Sequence, residues 1–240
     1  MNNTLYHFGD SFGTWGNKDY PELEAKKGFS EYIADYYNLN FEHYAHAGYS
    51  NQQIISSIIK NYNKFKNGDF ILINWSFLHR CVYLNKHNGV HTTSDLIHGF
   101  DPNNLNLNYM VNRFKLDNVD YLKYLLFQKS EFTKQEAILL FKMIINPLLK
   151  NLIDVGCNVI NTFNDNSLGF NQGTLNISSN LLEDSIKKIN WGDEDGGEYI
   201  WFINKMGYRN DSEDQHYKFG IQEELANHWI DKINKQILKK

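Results

Sequence analysis

Apolar runs of strand length alternate along the chain with segments whose apolar residues recur at helical spacing. The pattern predicts strands at residues 4–8, 40–45, 69–75 and 157–163. It predicts helices at residues 28–37, 52–62, 121–128, 134–155, 176–189 and 220–238. The run at 69–75 is almost continuously apolar, which is typical of a central parallel strand. Such alternation indicates βαβ units and a doubly wound α/β sheet.

Three stretches depart from this regularity. The helix at 134–155 contains Pro147, which predicts a kink, and Gly156 follows as a stop signal. Residues 83–118 show no sustained period and form a long excursion, which is either a lid or binding surface or a structural insertion. Residues 199–205 fit either a strand or a helix.

The excursion carries histidines whose spacing raises the question of a metal. His87 and His91 are four residues apart, but Asn88 and Gly89 between them argue against a helix that would place both rings on one face. No His-Glu-x-x-His pattern occurs. We therefore expect no metal site.

Composition narrows the class of protein. With 240 residues and 42% hydrophobic content, residues 1–240 fit a single domain. The net charge of -4, without a basic cluster, argues against a nucleic-acid partner. Neither a signal peptide nor a membrane span is predicted, so we expect a soluble chain in the cytoplasm, in a virus particle or released by lysis. Cys81 and Cys157 lack any zinc or disulfide spacing, and oligomeric state leaves no local pattern.

A serine stands where the first predicted strand ends. The strand breaks at Gly9 into Asp10 and Ser11, so the serine lies on a turn at the sheet edge where open α/β sheets keep their chemistry. A serine hydroxyl becomes an effective nucleophile only with a histidine base and an orienting carboxylate. The alternative is an ordinary Asp-Ser turn.

The last predicted helix is preceded by an acidic loop, residues 211–216, which ends in a histidine. His216 would serve as the base, and either Asp214 or Glu213 would orient its ring. A solvated acidic loop with an incidental histidine is the alternative.

Taken together, these features resemble the SGNH (GDSL) hydrolase family across most of the chain. The resemblance is carried by the Gly9-Asp10-Ser11 turn after the first strand, Gly48 after the second, and the Asp-x-His of residues 214–216 before the final helix. It implies a three-layer α/β/α, flavodoxin-like sandwich of about five parallel strands, with Ser11 as nucleophile and His216 as base. It also implies an oxyanion hole formed by the backbone N–H groups of Ser11 and Gly48 and an asparagine side chain, without a metal or organic cofactor.

Two positions depart from the family pattern. The family's Gly-x-Asn-Asp block is replaced by residues 74–80, where Asn74 is the nearest candidate for the third oxyanion donor. The usual Asp-x-x-His spacing would select Glu213 as the acid, whereas the Asp-x-His spacing of some relatives selects Asp214, which we prefer. Asp10 and Asn51 are assigned as supporting residues.

The resemblance implies a serine esterase acting on a small-molecule or glycan ester. An aromatic-rich chain with a long polar excursion and no evident lipid-binding face favours a carbohydrate O-acetyl ester, because aromatic rings suit sugar faces. One alternative is an inactive glycan-binding or structural module, such as a virion component. Another is an O-acyltransferase, if the site favours a sugar hydroxyl over water.

Overall fold

A computed structural model describes residues 2–10, 27–46, 49–76, 82–85, 89–92, 139, 141–163 and 222–236 of the chain. Its strands are β1 (Thr4–Gly9), β2 (Asn40–Ala45), β3 (Phe70–Trp75), β4 (Val82–Asn85), β5 (Gly89–Thr92) and β6 (Asn158–Phe163). Its α-helices are α1 (Phe29–Tyr36), α2 (Asn51–Asn61), α3 (Asn146–Asp154) and α4 (Gln222–Gln236). A 3₁₀ turn (Tyr62–Lys64) follows α2, and a π-helical turn (Phe141–Ile145) precedes α3.

The main sheet is parallel, with the strand order β2-β1-β3-β6. This order corresponds to the first four positions of the flavodoxin-like arrangement 2-1-3-4-5. The predicted doubly wound α/β fold is therefore confirmed, with four parallel strands in the described residues. A fifth strand stays a prediction.

Helices cover both faces of this sheet. On one face, α2 and α3 pack against alternate strand residues that include Phe8, Ile73 and Val159. On the other face, α1 and α4 pack against Leu5, Leu72 and Ile160. This alternation follows from the two-residue period of a strand, and it produces the expected three-layer α/β/α sandwich.

All four carboxyl ends of the parallel strands meet at one edge of the sheet. The order of connection reverses between β1 and β3. From β1 the chain continues to β2, which lies on one side of β1, and then to β3, which lies on its other side. In open α/β sheets, ligands bind in the crevice outside the carboxyl ends of the strands at this switch point. Gly9 of β1 and Trp75 of β3 border it.

The helix predicted at 134–155 is interrupted as its proline suggests. Pro147 has no N–H to bond the carbonyl of Met143, and the π-helical turn precedes α3, in which Pro147 is the second residue. Gly156 ends the helix with a φ of +92°, as predicted.

The excursion at 83–118 contains an element that the sequence pattern does not predict. Strands β4 and β5 pair antiparallel, with Tyr83 opposite His91 and Asn85 opposite Gly89. The predictions for residues 121–128, 176–189 and 199–205 lie outside the described residues.

Candidate functional site

The end of β1 lies against β3 more closely than any side chain larger than glycine allows. A Cβ atom placed on Gly9 would lie 2.7 Å from the Cβ of Asn74. The next residue, Asp10, is fully buried. Glycine is therefore required at position 9 by packing against β3, and β1 ends at this residue.

The turn after β2 is bonded to the end of β1. The His46 N–H donates to the Gly9 carbonyl at 3.1 Å, and the Tyr49 N–H donates to the His46 carbonyl at 3.2 Å. Ser50 then caps α2 through a capping box with Gln53, whose side chain accepts from the Ser50 N–H at 3.0 Å. One backbone hydrogen bond thus joins the end of β2 to the end of β1.

Asn51 joins the start of α2 to the end of β3 through two hydrogen bonds. Its Nδ2 donates to the Ser76 carbonyl at 2.9 Å, and its Oδ1 accepts from the Ser76 N–H at 2.8 Å. Both residues are buried. The amide of Asn51 therefore satisfies the backbone of Ser76 as a neighbouring strand would. Its assignment as a supporting residue of the site stays a prediction.

A line of buried polar side chains crosses the sheet beneath the crevice, on the face covered by α1 and α4. Nε2 of His7 lies 2.8 Å from Oδ1 of Asn74, whose Nδ2 donates to Oγ1 of Thr162. Asn74 is only 2% exposed. The residue predicted as the third oxyanion donor is thus the centre of a side-chain network spanning β1, β3 and β6.

Burial sets the charge of His7. Desolvation first, and repulsion from His43 second, hold the pKa of His7 well below its ordinary value. The ring contacts Phe29 and His43, with centroid separations of 5.4 and 5.2 Å. His7 is therefore neutral at pH 7, and in the tautomer with the proton on Nε2 it donates to the Asn74 carbonyl oxygen.

Sequence reasoning did not find His7 or Thr162. The available signal was the presence of polar residues inside apolar strands, but their partners become visible only through the register that pairs Asn74 with Thr162. The same holds for Ser76, which lies 25 residues from Asn51.

Helix α4 packs beside α1 and points the same way. At one end, Oε1 of Gln222 accepts from the Phe29 N–H at 2.9 Å, and at the other, the Tyr37 hydroxyl donates to Oδ1 of Asn234 at 2.8 Å. Tyr37 stacks on Phe70 at the start of β3. The start of α4 therefore lies toward the edge where the strands end.

The predicted catalytic residues Ser11, His216, Asp214 and Glu213, and the predicted oxyanion residue Gly48, lie outside the described residues. Asp10, Asn51 and Asn74 are described at the positions given above. Within the described ranges, no group of three or more His, Cys, Asp or Glu residues is arranged to hold a metal ion. None of the helices in that part of the chain is both long and apolar enough to cross a membrane.

No protein-family model matches the chain, and no curated protein does so. Among solved structures it resembles protein YxiM from Bacillus subtilis, with 14% identity and a TM-score of 0.48. The match covers 98% of this chain and 57% of YxiM, so the chain spans little more than half the length of that protein.

Proposed function

We propose that the chain is a serine ester hydrolase of the SGNH type, with Ser11 as nucleophile, His216 as base and Asp214 as the orienting acid. The observation that supports this most is the position of Gly9 and Asp10 at the switch point between β1 and β3. Ser11 follows Asp10 directly, so its Cα lies about 3.8 Å from that of a fully buried residue at this edge. A nucleophile there would border the crevice in which such sheets bind ligands.

The start of α4 supports the choice of base. His216 precedes Gln222 by six residues, a length of chain that spans at most about 20 Å. Because Gln222 is bonded to the first residue of α1, this tether is anchored toward the same edge of the sheet. In this proposal His216 reaches Ser11 from that anchor, and Asp214 or its alternate Glu213 orients the imidazole.

Two backbone donors of the oxyanion hole are supported by the bond that joins the turns. Ser11 is two residues from Gly9, and Gly48 is two residues from His46, whose N–H donates to the Gly9 carbonyl. Their N–H groups would converge on one carbonyl oxygen of the substrate. Asn51 would hold the turn that bears Gly48 against the end of β3.

In this proposal, Ser11 Oγ attacks the ester carbonyl while His216 accepts its proton. The tetrahedral oxyanion is stabilised by the backbone N–H groups, and His216 returns the proton to the departing alcohol. Water, activated in the same way, then releases the acid from the acyl-enzyme. We propose an O-acetyl group on a carbohydrate as the substrate, on the basis of the aromatic content of the chain.

One observation favours a second candidate, a catalytically weak or inactive glycan-binding or structural module. One N–H of the Asn74 amide already donates to Thr162 and the side chain is buried, so at most one N–H of Asn74 is left to act as the third oxyanion donor. Loss of one such donor commonly lowers kcat by about 10²–10³-fold. An O-acyltransferase would use the same triad if a sugar hydroxyl replaced water.

The test compares hydrolysis of p-nitrophenyl acetate, butyrate and octanoate, and acetate release from an acetylated glycan, by the wild-type chain and by Ser11→Ala. Ser56→Ala, at an exposed serine of α2, is the matched control. We expect acetate turnover in the wild type and the control and none in Ser11→Ala. A folded wild-type chain without turnover would refute the esterase, and glycan binding without turnover would establish the module. Release of long acyl chains in preference to acetate would refute the substrate.

A further inference from the structure

We propose that Asn74 is a positioning residue, which fixes the end of β1 through His7 and Gly9, and that its amide N–H groups point away from the ester. This inference deepens the proposed function, and it rests on that function for what is being positioned. It assigns to His7 the task of fixing the direction of the Asn74 amide, and to Thr162 the task of anchoring the side of the amide that faces β6.

The direction of the amide follows from the strand order. Because β3 lies between β1 and β6, the Asn74 side chain has His7 on one side and Thr162 on the other. Its carbonyl oxygen faces His7 on β1, and its nitrogen faces Thr162 on β6. Ser11 follows β1, so the oxygen faces the strand of the nucleophile and the donor faces away from it.

The orientation of the amide is tied to the tautomer of His7. An amide oxygen at Nε2 requires a proton on Nε2, whereas an inverted amide would require Nε2 to accept and would move the ring proton to Nδ1. Nδ1 of His7 is buried and has no hydrogen-bond partner among the described residues. A buried N–H without a partner is rarer than a buried acceptor without one, so the Nε2–H tautomer is favoured and with it the observed direction of Asn74.

Contact with Gly9 makes this network relevant to the site. A Cβ placed on Gly9 would lie 2.7 Å from the Cβ of Asn74, so β1 and β3 approach closely here and a displacement of Asn74 toward β1 would move the residue that precedes Asp10. Misplacement of a nucleophile by about 1 Å can lower the rate by about 10²-fold. Asn74 thus acts on the reaction through the position of β1.

The first experiment measures the His7 tautomer by ¹⁵N NMR of the wild-type chain, with His7→Gln used to assign the ring signals. We expect a neutral ring protonated at Nε2 at pH 7 and throughout the pH range in which the chain is folded. A ring protonated at Nδ1 would mean that Asn74 presents its nitrogen toward β1, and it would overturn the inference. This measurement requires no catalytic activity.

The second experiment compares kcat and KM for Asn74→Ala, Thr162→Val, the double variant and the conservative Thr162→Ser. Positioning predicts that Asn74→Ala and Thr162→Val lower kcat by similar factors, about 10-fold to 10²-fold, with little change in KM. The double variant should lose no more than either alone, because the residues act as one unit. Thr162→Ser keeps the hydroxyl and should recover most of the kcat that Thr162→Val loses.

A loss in Asn74→Ala at least tenfold greater than in Thr162→Val would overturn positioning, because Asn74 would then act on the substrate itself. If the wild-type chain shows no turnover, the proposed esterase fails and the effect on catalysis fails with it. The NMR measurement of the His7 tautomer would still test the direction of the Asn74 amide. Failure of the proposed function and failure of this inference are therefore distinguishable.

Discussion

The pair of hydrogen bonds between Asn51 and Ser76 gives a sharp prediction for stability. Asn51→Ala removes two hydrogen bonds to the Ser76 backbone, one from its N–H at 2.8 Å and one to its carbonyl at 2.9 Å. Ser76 is only 4% exposed, so water replaces the lost amide poorly. Removing one side of a buried hydrogen bond costs about 1–3 kcal/mol.

A smaller effect opposes this loss. Alanine is a better helix former than asparagine, and at the first residue of α2 it returns at most about 0.7 kcal/mol. The cost of losing the two buried hydrogen bonds is larger than this gain in helix propensity. We therefore expect Asn51→Ala to lower the free energy of unfolding by about 2–4 kcal/mol. For a chain of this size, that corresponds to a fall in Tm of about 4–16 °C.

Urea unfolding followed by circular dichroism measures this quantity, and Gln52→Ala is the matched control. Gln52 is the exposed neighbour on the same helical turn, so its substitution should change the free energy of unfolding by less than about 0.5 kcal/mol. Asn51→Asp separates the two bonds, because a carboxylate still accepts from the Ser76 N–H but repels the Ser76 carbonyl. Equal stability of Asn51→Ala and Gln52→Ala would refute the reasoning.

Two further predictions concern the end of β1. Gly9→Ala should destabilise the fold by about 1–3 kcal/mol, because the new Cβ would meet the Cβ of Asn74 at 2.7 Å; an unchanged Tm would contradict this. His7 should make stability depend on pH, because burial lowers its pKa and the unfolded chain then binds a proton that the folded chain does not. The free energy of unfolding should therefore fall as the pH is lowered below about 6.5, by up to about 1.4 kcal/mol per pH unit from this residue. His7→Gln keeps a donor for Asn74 and should show a shallower slope in urea titrations at several pH values; equal slopes would count against a neutral His7.

The strands of the fold could be predicted because their signals are local. The predicted strand at 40–45 coincides with β2 (Asn40–Ala45), and the run at 69–75 differs from β3 (Phe70–Trp75) by one residue. Continuous apolar runs of this length leave few alternatives in an α/β chain. The hairpin of β4 and β5 was not predicted, since its short strands lie in a polar segment with no sustained period.

For the candidate site, the sequence predicts only which residue types stand at the turns, and not how their side chains are arranged. Ser11, Gly48 and His216 lie on segments outside the described residues, so their roles stay predictions. Asn74 was selected because residues 74–80 replace the family's Gly-x-Asn-Asp block, but its orientation depends on His7 and Thr162, which are 67 and 88 residues away. Register between strands brings such residues together, and no local pattern encodes it.

The placement of α4 has a consequence for how the chain is made. Strands β1, β2 and β3 are complete by residue 75, yet the face of the sheet around Leu5 and Leu72 is covered in part by Trp229 and Ile233, which come later than every strand described. At about 5–20 residues per second, a ribosome needs several seconds or more to reach α4 after finishing β3. Throughout that interval the part of this apolar sheet face that α4 covers lacks its helix. Chaperones bind apolar surface of this kind, and its exposure promotes aggregation. The core on that face is therefore complete only when α4 has been made, and α4 begins six residues after His216.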